Sequence, residues 1–448
     1  MKKIFLSILS FLFFTVLVKA QDDVYPAPPQ KGTIYITNAT IHVGNGQVID
    51  NGTIEIKDGK ITKVGTDITA ASNATVVDAK GKQVYPGLIL PNTDLGLREI
   101  AGNAVRGSND FAELGDWNTD VRSITAYNSD SKIIGVLRAN GILLANVAPE
   151  GGMLPGSSTI VQLDAWNWED AAYKMDIGIH FNMPSLLARG GRGRFGGGFP
   201  GRFQQAGGPA TDPVKEAMDK IDEVKKFFRE AKAYFGEASH TETNLKFEAV
   251  KGLFDKKQKF YVHCNEVKQM LVAIDFAKEF GFDVVIVGGS ESWQIADLLK
   301  QNNIEVILNR EFSLPTLEDD DVDQPFKTPY MLKKAGVLFC LNDDHEESRY
   351  RNLPFDAGQA AAYGLSKEEA LQAITLDAAK VLGIDDRTGS IEVGKDANIV
   401  ISDGDILDMR TSIITDAFIQ GRKVSLQDKQ TQLYDRYMHK YGLTENKN

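Results

Sequence analysis

Residues 76–97 read VVDAKGKQVYPGLILPNTDLGL, and the organisation of the chain turns on this stretch. Its apolar run Val84–Leu90 is the first of eight short apolar runs that read as strands. The others are Ile142–Val147, Thr159–Leu163, Ile177–Asn182, Phe260–Cys264, Val284–Val287, Ile304–Leu308 and Val337–Leu341. Helical patterns lie between several of them. Asp212–Phe235 carries Val214, Met218, Ile221, Val224 and Phe228 on one stripe, and Val267–Phe280 is a second amphipathic segment. Thr211-Asp212 before Pro213 supplies a capping side chain and a proline in the first turn. Eight strands with helical crossovers predict an α/β protein, a (β/α)8 TIM-like barrel over residues 84–387.

Upstream of that stretch, Thr33–Thr37, Thr40–Val43, Gly52–Lys57 and Lys60–Gly65 alternate with period two and are separated by Gly44-Asn45-Gly46 and Asp58-Gly59. This is the pattern of hairpins. The same character returns at Ser390–Val393, Ala397–Ser402, Ile413–Gln420 and Arg422–Val424. The two β segments, residues 31–83 and 388–428, are expected to pair into one small composite β-sandwich flanking the barrel.

The N-terminus reads as an export signal over residues 1–20. Lys2 and Lys3 precede an apolar run from Ile4 to Val18, and Val18-Lys19-Ala20 offers small residues for cleavage after Ala20. The apolar run is short for a membrane span, and no other stretch is long and apolar enough to be one. A secreted, periplasmic protein without membrane attachment after cleavage is the expectation. A net charge of −11 argues against nucleic acid as a partner. Two cysteines, Cys264 and Cys340, exclude a disulfide-stapled scaffold. An oxidising compartment would permit one bridge, provided their separate predicted strands lie close together. Residues 189–209, RGGRGRFGGGFPGRFQQAGGP, break the composition. Arg-Gly-Phe tracts bind RNA when disordered, but in an acidic exported chain this one reads as a loop after strand four, on the face where barrel active sites form and placed to act as a lid.

The opening stretch resembles the amidohydrolase superfamily, whose Val-Asp-x-x-Gly-Lys-x-hydrophobic-x-Pro-Gly segment runs into barrel strand one. The far end is similar too. Tyr363-Gly364-Leu365-Ser366, Glu368-Glu369-Ala370-Leu371, Ala373-Ile374-Thr375, Ala378-Ala379 and residues 389–398 resemble the family's C-terminal helix and its return to the small β domain. The segment from Phe260 to Trp293 is similar to the imidazolonepropionase-like branch, which includes dipeptide-cleaving enzymes. The resemblance implies metal-assisted hydrolysis, with a strand-eight aspartate as general base.

The ligand pattern that the resemblance implies is broken here. The two strand-one histidine slots hold Asn92 and Asp94, and the strand-four slot falls near His180 and Asn182. His263 occupies the strand-five place, Gly288-Gly289 the strand-six place, and Asp343 the strand-eight place. Asp94, His263 and Asp343, with His180 as an outside candidate, are the remaining metal candidates. Asp343 is also the candidate base. Asn92, Asn265, Asp344 and His345 are candidate substrate contacts. Such a set would hold one divalent ion, Zn, Mn or Fe, leaning to the harder two; a metal-free site is the other expectation. Cys264 is no partner for His263, since neighbours on a strand face opposite ways. His42, His240 and His439 read as surface or packing residues.

Two functions follow. The first is an exported hydrolase that breaks a C–N bond in a small molecule or short peptide through a reduced mononuclear site. The second is a non-catalytic relative, either a ligand-binding protein or a subunit in a homo- or hetero-oligomer with an active paralogue. Three of four histidine slots are lost, which favours the second. The polar residues kept at the strand ends favour the first.

Overall fold

The computed structural model describes residues 25–99, 109–187, 212–237, 239–316, 319–344 and 347–443. The expected export signal and the Gly/Arg-rich tract at 189–209 lie outside the described residues.

The strands form two eight-stranded sheets. The first is composite. β1 (Thr33–His42), β2 (Val48–Lys57), β3 (Lys60–Gly65), β4 (Thr75–Asp78) and β5 (Gln83–Pro86) come from the N-terminal side. β14 (Ile399–Ser402), β15 (Ile414–Ile419) and β16 (Arg422–Lys423) come from the C-terminal side. Antiparallel pairing of β5 with β14 joins the halves, so all eight strands belong to one hydrogen-bonded sheet. Ser390–Val393, expected as a strand, is irregular, although Ile391 N–H still donates to Val43 O at 2.8 Å. Ile36, Ile54, Ile391, Ile399 and Phe418 pack together as the core of this small domain.

The second sheet is the barrel wall, made of β6 (Leu88–Thr93), β7 (Ile142–Val147), β8 (Gly156–Gln162), β9 (Ala172–Asn182), β10 (Lys259–Cys264), β11 (Val284–Gly288), β12 (Glu305–Leu308) and β13 (Phe339–Leu341), side by side in chain order. The predicted run Val84–Leu90 is therefore divided. Val84 and Tyr85 belong to the small domain and Leu88–Leu90 to the barrel, with Gly87 between them. A Cβ on Gly87 would stand 2.7 Å from Leu143 Cδ1, so the chain crosses between domains where only glycine fits.

One strand departs from the (β/α)8 pattern. β8 runs antiparallel to both β7 and β9. A parallel pair needs a crossover of about a dozen residues or more, and only residues 148–155 separate β7 from β8. The other adjacent wall strands are parallel. Both faces of the wall are buried. Ile89, Leu144, Tyr261, Val285, Val287, Ile307 and Cys340 point into the barrel with Ala378 and Val381 of the helix Leu376–Leu382. The alternate residues Leu88, Val284, Ile286 and Leu341 face the surrounding helices. Cys340 thus lies on the inner face and Cys264 on the outer one. Both are free thiols.

The helix signals hold. Pro213–Phe235 is helical, and Asp212 caps it by accepting from Val214 N–H at 3.0 Å. Ile221, Val224 and Phe228 of the expected stripe are buried, whereas Met218 is exposed. Val267–Phe280 is helical over the predicted span.

Two carboxylates bolt the layers together. Asp396 accepts from Tyr173 OH (2.6 Å), Lys60 (2.8 Å) and Arg387 (3.2 Å), joining the composite sheet to the barrel. Asp164 is buried between Arg138 (3.0 Å) and Arg422 (2.8 Å) and also accepts Ala27 N–H at 2.9 Å. Asp164→Ala leaves two guanidinium groups without their buried counter-charge. The expected loss is about 3–5 kcal/mol of stability, measured as a lower denaturant midpoint at unchanged slope. A loss below 1 kcal/mol would show that water replaces the carboxylate.

Candidate functional site at the barrel mouth

Two imidazoles meet at the C-terminal ends of β9 and β10. In-register pairing sets Tyr261 beside His180 and His263 beside Asn182. The His180 ring stacks on Tyr261, with centroids 4.9 Å apart, and its Nδ1 lies 2.8 Å from His263 Nε2. One nitrogen donates and the other accepts. Burial drives both rings toward the neutral form. His263 is pushed down to about 4, and His180 is lowered further by burial and by its neighbour. His180 Nε2 and Tyr261 OH are buried without a hydrogen-bond partner. Asn182 turns to Gly152 O at 2.9 Å and so binds the loop between β7 and β8.

At the end of β6, the register shifts between Leu90 and Thr93, which re-aims the residues that follow. Asn92 N–H donates to Asn342 Oδ1 at 3.1 Å, across the seam between the first and last wall strands. Asp94 is buried and both its oxygens are engaged. Arg98 Nε lies 2.9 Å from Oδ2, and Tyr350 OH donates to Oδ1 at 2.5 Å. Arg98 also reaches Glu150 at 2.9 Å and lies over the Phe111 ring.

Past β13, Asn342 and Asp343 are fully buried. Asp344 is exposed and lies 3.5 Å from Arg310. His345 lies outside the described residues. Asp343 and Asp344 face Asp356, on the helix Leu353–Ala362. Burial and these two charges raise the Asp356 carboxyl from the ordinary 3.8 to about 8, while Arg310 opposes the shift. Glu311, after β12, is also buried. Desolvation first, then the Asp356 charge, holds its carboxyl well above the usual range.

Asn265 Oδ1 accepts from Ser290 Oγ at 2.9 Å and ties the loops after β10 and β11 together. This contact explains the missing strand-six histidine. Gly288 has φ +110°, and a Cβ there would stand 2.6 Å from Asn265 Oδ1. A side chain at that position would collide with the link between the two loops.

The structure therefore brings together His180 and His263 but not the full expected set. The family resemblance implies a divalent ion. Catalytic zinc sites use three protein ligands and an open position. Here two imidazoles converge, while the Asp94 oxygens already hold Arg98 and Tyr350. Among the described residues, no three His, Cys, Asp or Glu side chains gather as a metal-holding group. The donor set present does not fit a mononuclear site built from Asp94, His180, His263 and Asp343. The sequence reading missed Arg98, Tyr350, Glu311 and Asp356. Only Arg98 carried a signal, since it follows Asp94 by four residues.

Comparison with known proteins agrees with this architecture. The model of the Amidohydrolase family matches residues 331–427. The amidohydrolase tasK of Hapsidospora irregularis is 23% identical over 389 residues, covering 80% of this chain; the match spans 38% of that protein's length. The imidazolonepropionase of Staphylococcus saprophyticus is 24% identical over 382 residues, 81% of this chain and 85% of that one. An amidohydrolase structure from Thermotoga maritima superposes with a TM-score of 0.73 at 24% identity, covering 88% of this chain and 99% of the other. A TIM-like barrel with a composite β-sheet domain and this C-terminal block define the class. The C-terminal block matches the Amidohydrolase family, and the chain is similar to amidohydrolases over most of its length and shares their fold.

The raised Asp356 carboxyl has a stability consequence. Between pH 4 and about pH 8 the folded protein keeps a proton that the unfolded chain has lost, so this group's contribution falls as pH rises and levels off above about 8. Asp356→Asn removes that dependence. The variant's Tm relative to wild type is expected to increase steadily from pH 4 to pH 8. A difference that stays flat across the window would contradict the assigned proton.

Proposed function

We propose that the protein is an exported amidohydrolase-family hydrolase that breaks a C–N bond in a small molecule or short peptide. The observation that carries this reading is the pair of neutral imidazoles, His180 and His263, meeting 2.8 Å apart at the end of the barrel where strand ends and loops build active sites. Similarity to amidohydrolases and to an imidazolonepropionase supports the reaction class. The polar mouth residues Asn92, Asn265 and Asp344 are the substrate contacts. His180 Nε2, buried and unmatched, is a polar atom for a substrate group or its water.

In this reading Asp343 is the general base. Water adds to the carbonyl carbon as its proton passes to the Asp343 carboxylate. The C–N bond then breaks as that proton moves to the departing amine. No step is routed through a metal, because the donor set does not complete one. Export to the periplasm rests on the signal-like residues 1–20.

A second reading has its own observation. Asp94 is neutralised by Arg98 and Tyr350. A barrel whose first-strand ligand is locked this way suits a non-catalytic subunit beside an active paralogue.

One experiment separates them. The mature protein, purified from its native host without chelator, is assayed against dipeptides and cyclic amides, with metal content and co-purifying chains measured on the same sample. Turnover that drops at least about 100-fold in Asp343→Asn, with the fold intact, is the expected result. Undiminished turnover would remove Asp343 as base. No turnover, together with a stoichiometric paralogous chain, would establish the second reading.

A further inference from the structure

A small open cleft, with an enclosed volume of about 30 Å3, lies at the ends of β11 and β12. Ser290, Trp293, Asn309, Arg310, Glu311 and Gln324 help line it. Glu311 is 2% exposed, and neither carboxylate oxygen has a hydrogen-bond partner. Asn309 Oδ1, in the same cleft, is also buried without one. Burying a polar group unpaired is costly, and here three acceptor atoms are buried unpaired around one small space. They call for a donor, and a protonated primary amine carries three N–H groups and a positive charge. The cleft is lined by two carboxylates, Glu311 and Asp320, yet a divalent ion suits it less well, because among the described residues no group of three metal-holding side chains gathers there. Leu308, Leu314 and Pro315 give the cleft apolar wall for a short carbon chain.

We infer that this cleft binds the protonated primary amine of a small aliphatic ligand, with the Glu311 carboxylate as its counter-ion and Asn309 Oδ1 as a further acceptor. This deepens the hydrolase reading and rests on it only in making the ligand a substrate, such as a peptide with a free N-terminus. Binding itself stands apart from turnover. The charges around Glu311 explain how the site works. Burial first, then the charge of Asp356 on the helix Leu353–Ala362, raises the Glu311 carboxyl well above the usual range, although Arg310 also lines the cleft. An arriving ammonium group favours the ionised carboxylate, so binding is coupled to loss of the Glu311 proton to solvent.

The test is calorimetric titration of the full mature chain at pH 7 with n-butylammonium chloride, in two buffers of different ionisation enthalpy, with n-butanol as the uncharged control. The expected result is saturable binding at least about tenfold tighter than n-butanol, accompanied by proton release, both lost in Glu311→Gln. Thermal melting of that variant confirms an intact fold. Asp356→Asn should retain amine binding. Equal affinity for amine and alcohol, amine binding that survives Glu311→Gln, or loss of binding in Asp356→Asn alone would overturn the proposal. Failure of the titration leaves the Asp343 turnover test untouched, and failure of that test leaves the titration valid.

Discussion

The structure depends on the pairing of β5 with β14. These strands lie more than 300 residues apart, yet Pro86 stands opposite Ile399 and Val84 opposite Ile401 in one antiparallel ladder. Everything between them must leave the composite sheet at Gly87 and return to it at Asn398. The two points touch, since Gly87 N–H donates to Asn398 O at 2.8 Å. A nearly closed barrel solves this path problem, because its first strand starts and its last helix ends on the same side. Asp396 then fastens that side through Tyr173, Lys60 and Arg387.

The mouth of the barrel obeys a different economy. Several polar groups there are matched with one another where the expected ligand pattern has changed. Asp94 has taken Arg98 and Tyr350. His180 has taken His263. Asn342 has taken the Asn92 backbone. A buried carboxylate paired with a guanidinium needs no metal ion to balance its charge, so loss of histidines at the neighbouring slots need not unravel the site. Both oxygens of Glu311 and Oδ2 of Asp356, buried without a hydrogen-bond partner, lie on the strand-seven and strand-eight side. Unmatched polar atoms remain on the other side too, at Asn92 Oδ1 and His180 Nε2, but the unmatched carboxyl oxygens of Glu311 and Asp356 gather near β12 and β13.

How much of this could be read from the sequence follows from the range of each interaction. Lys60–Gly65, the Asp212 cap and the Val267–Phe280 helix were legible because turns, caps and amphipathic spacing act within a few residues. The eight wall strands were legible as apolar runs. The direction of β8 was not inferred, although the short connection before it carried the information. Val84–Leu90 read as one strand because its apolar content continues through Gly87, and only the close approach of Leu143 shows the break. At the site, His180 and His263 could be nominated but not joined, since their contact depends on strand register across 83 residues. Glu311 and Asp356 look like ordinary surface acids in sequence; burial alone makes them distinctive.

The reversed strand β8 changes the thermodynamics of wall assembly. Parallel neighbours such as β9 and β10 meet only after a long intervening segment has been closed, and the entropy of that closure grows with segment length. β7, β8 and β9 pair through the short segments 148–155 and 163–171. This meander has the lowest loop-closure cost in the wall, and its hydrogen bonds can form without any crossover helix in place. The barrel thus contains a locally encoded corner, directly under the imidazole His180, from which the rest of the wall extends.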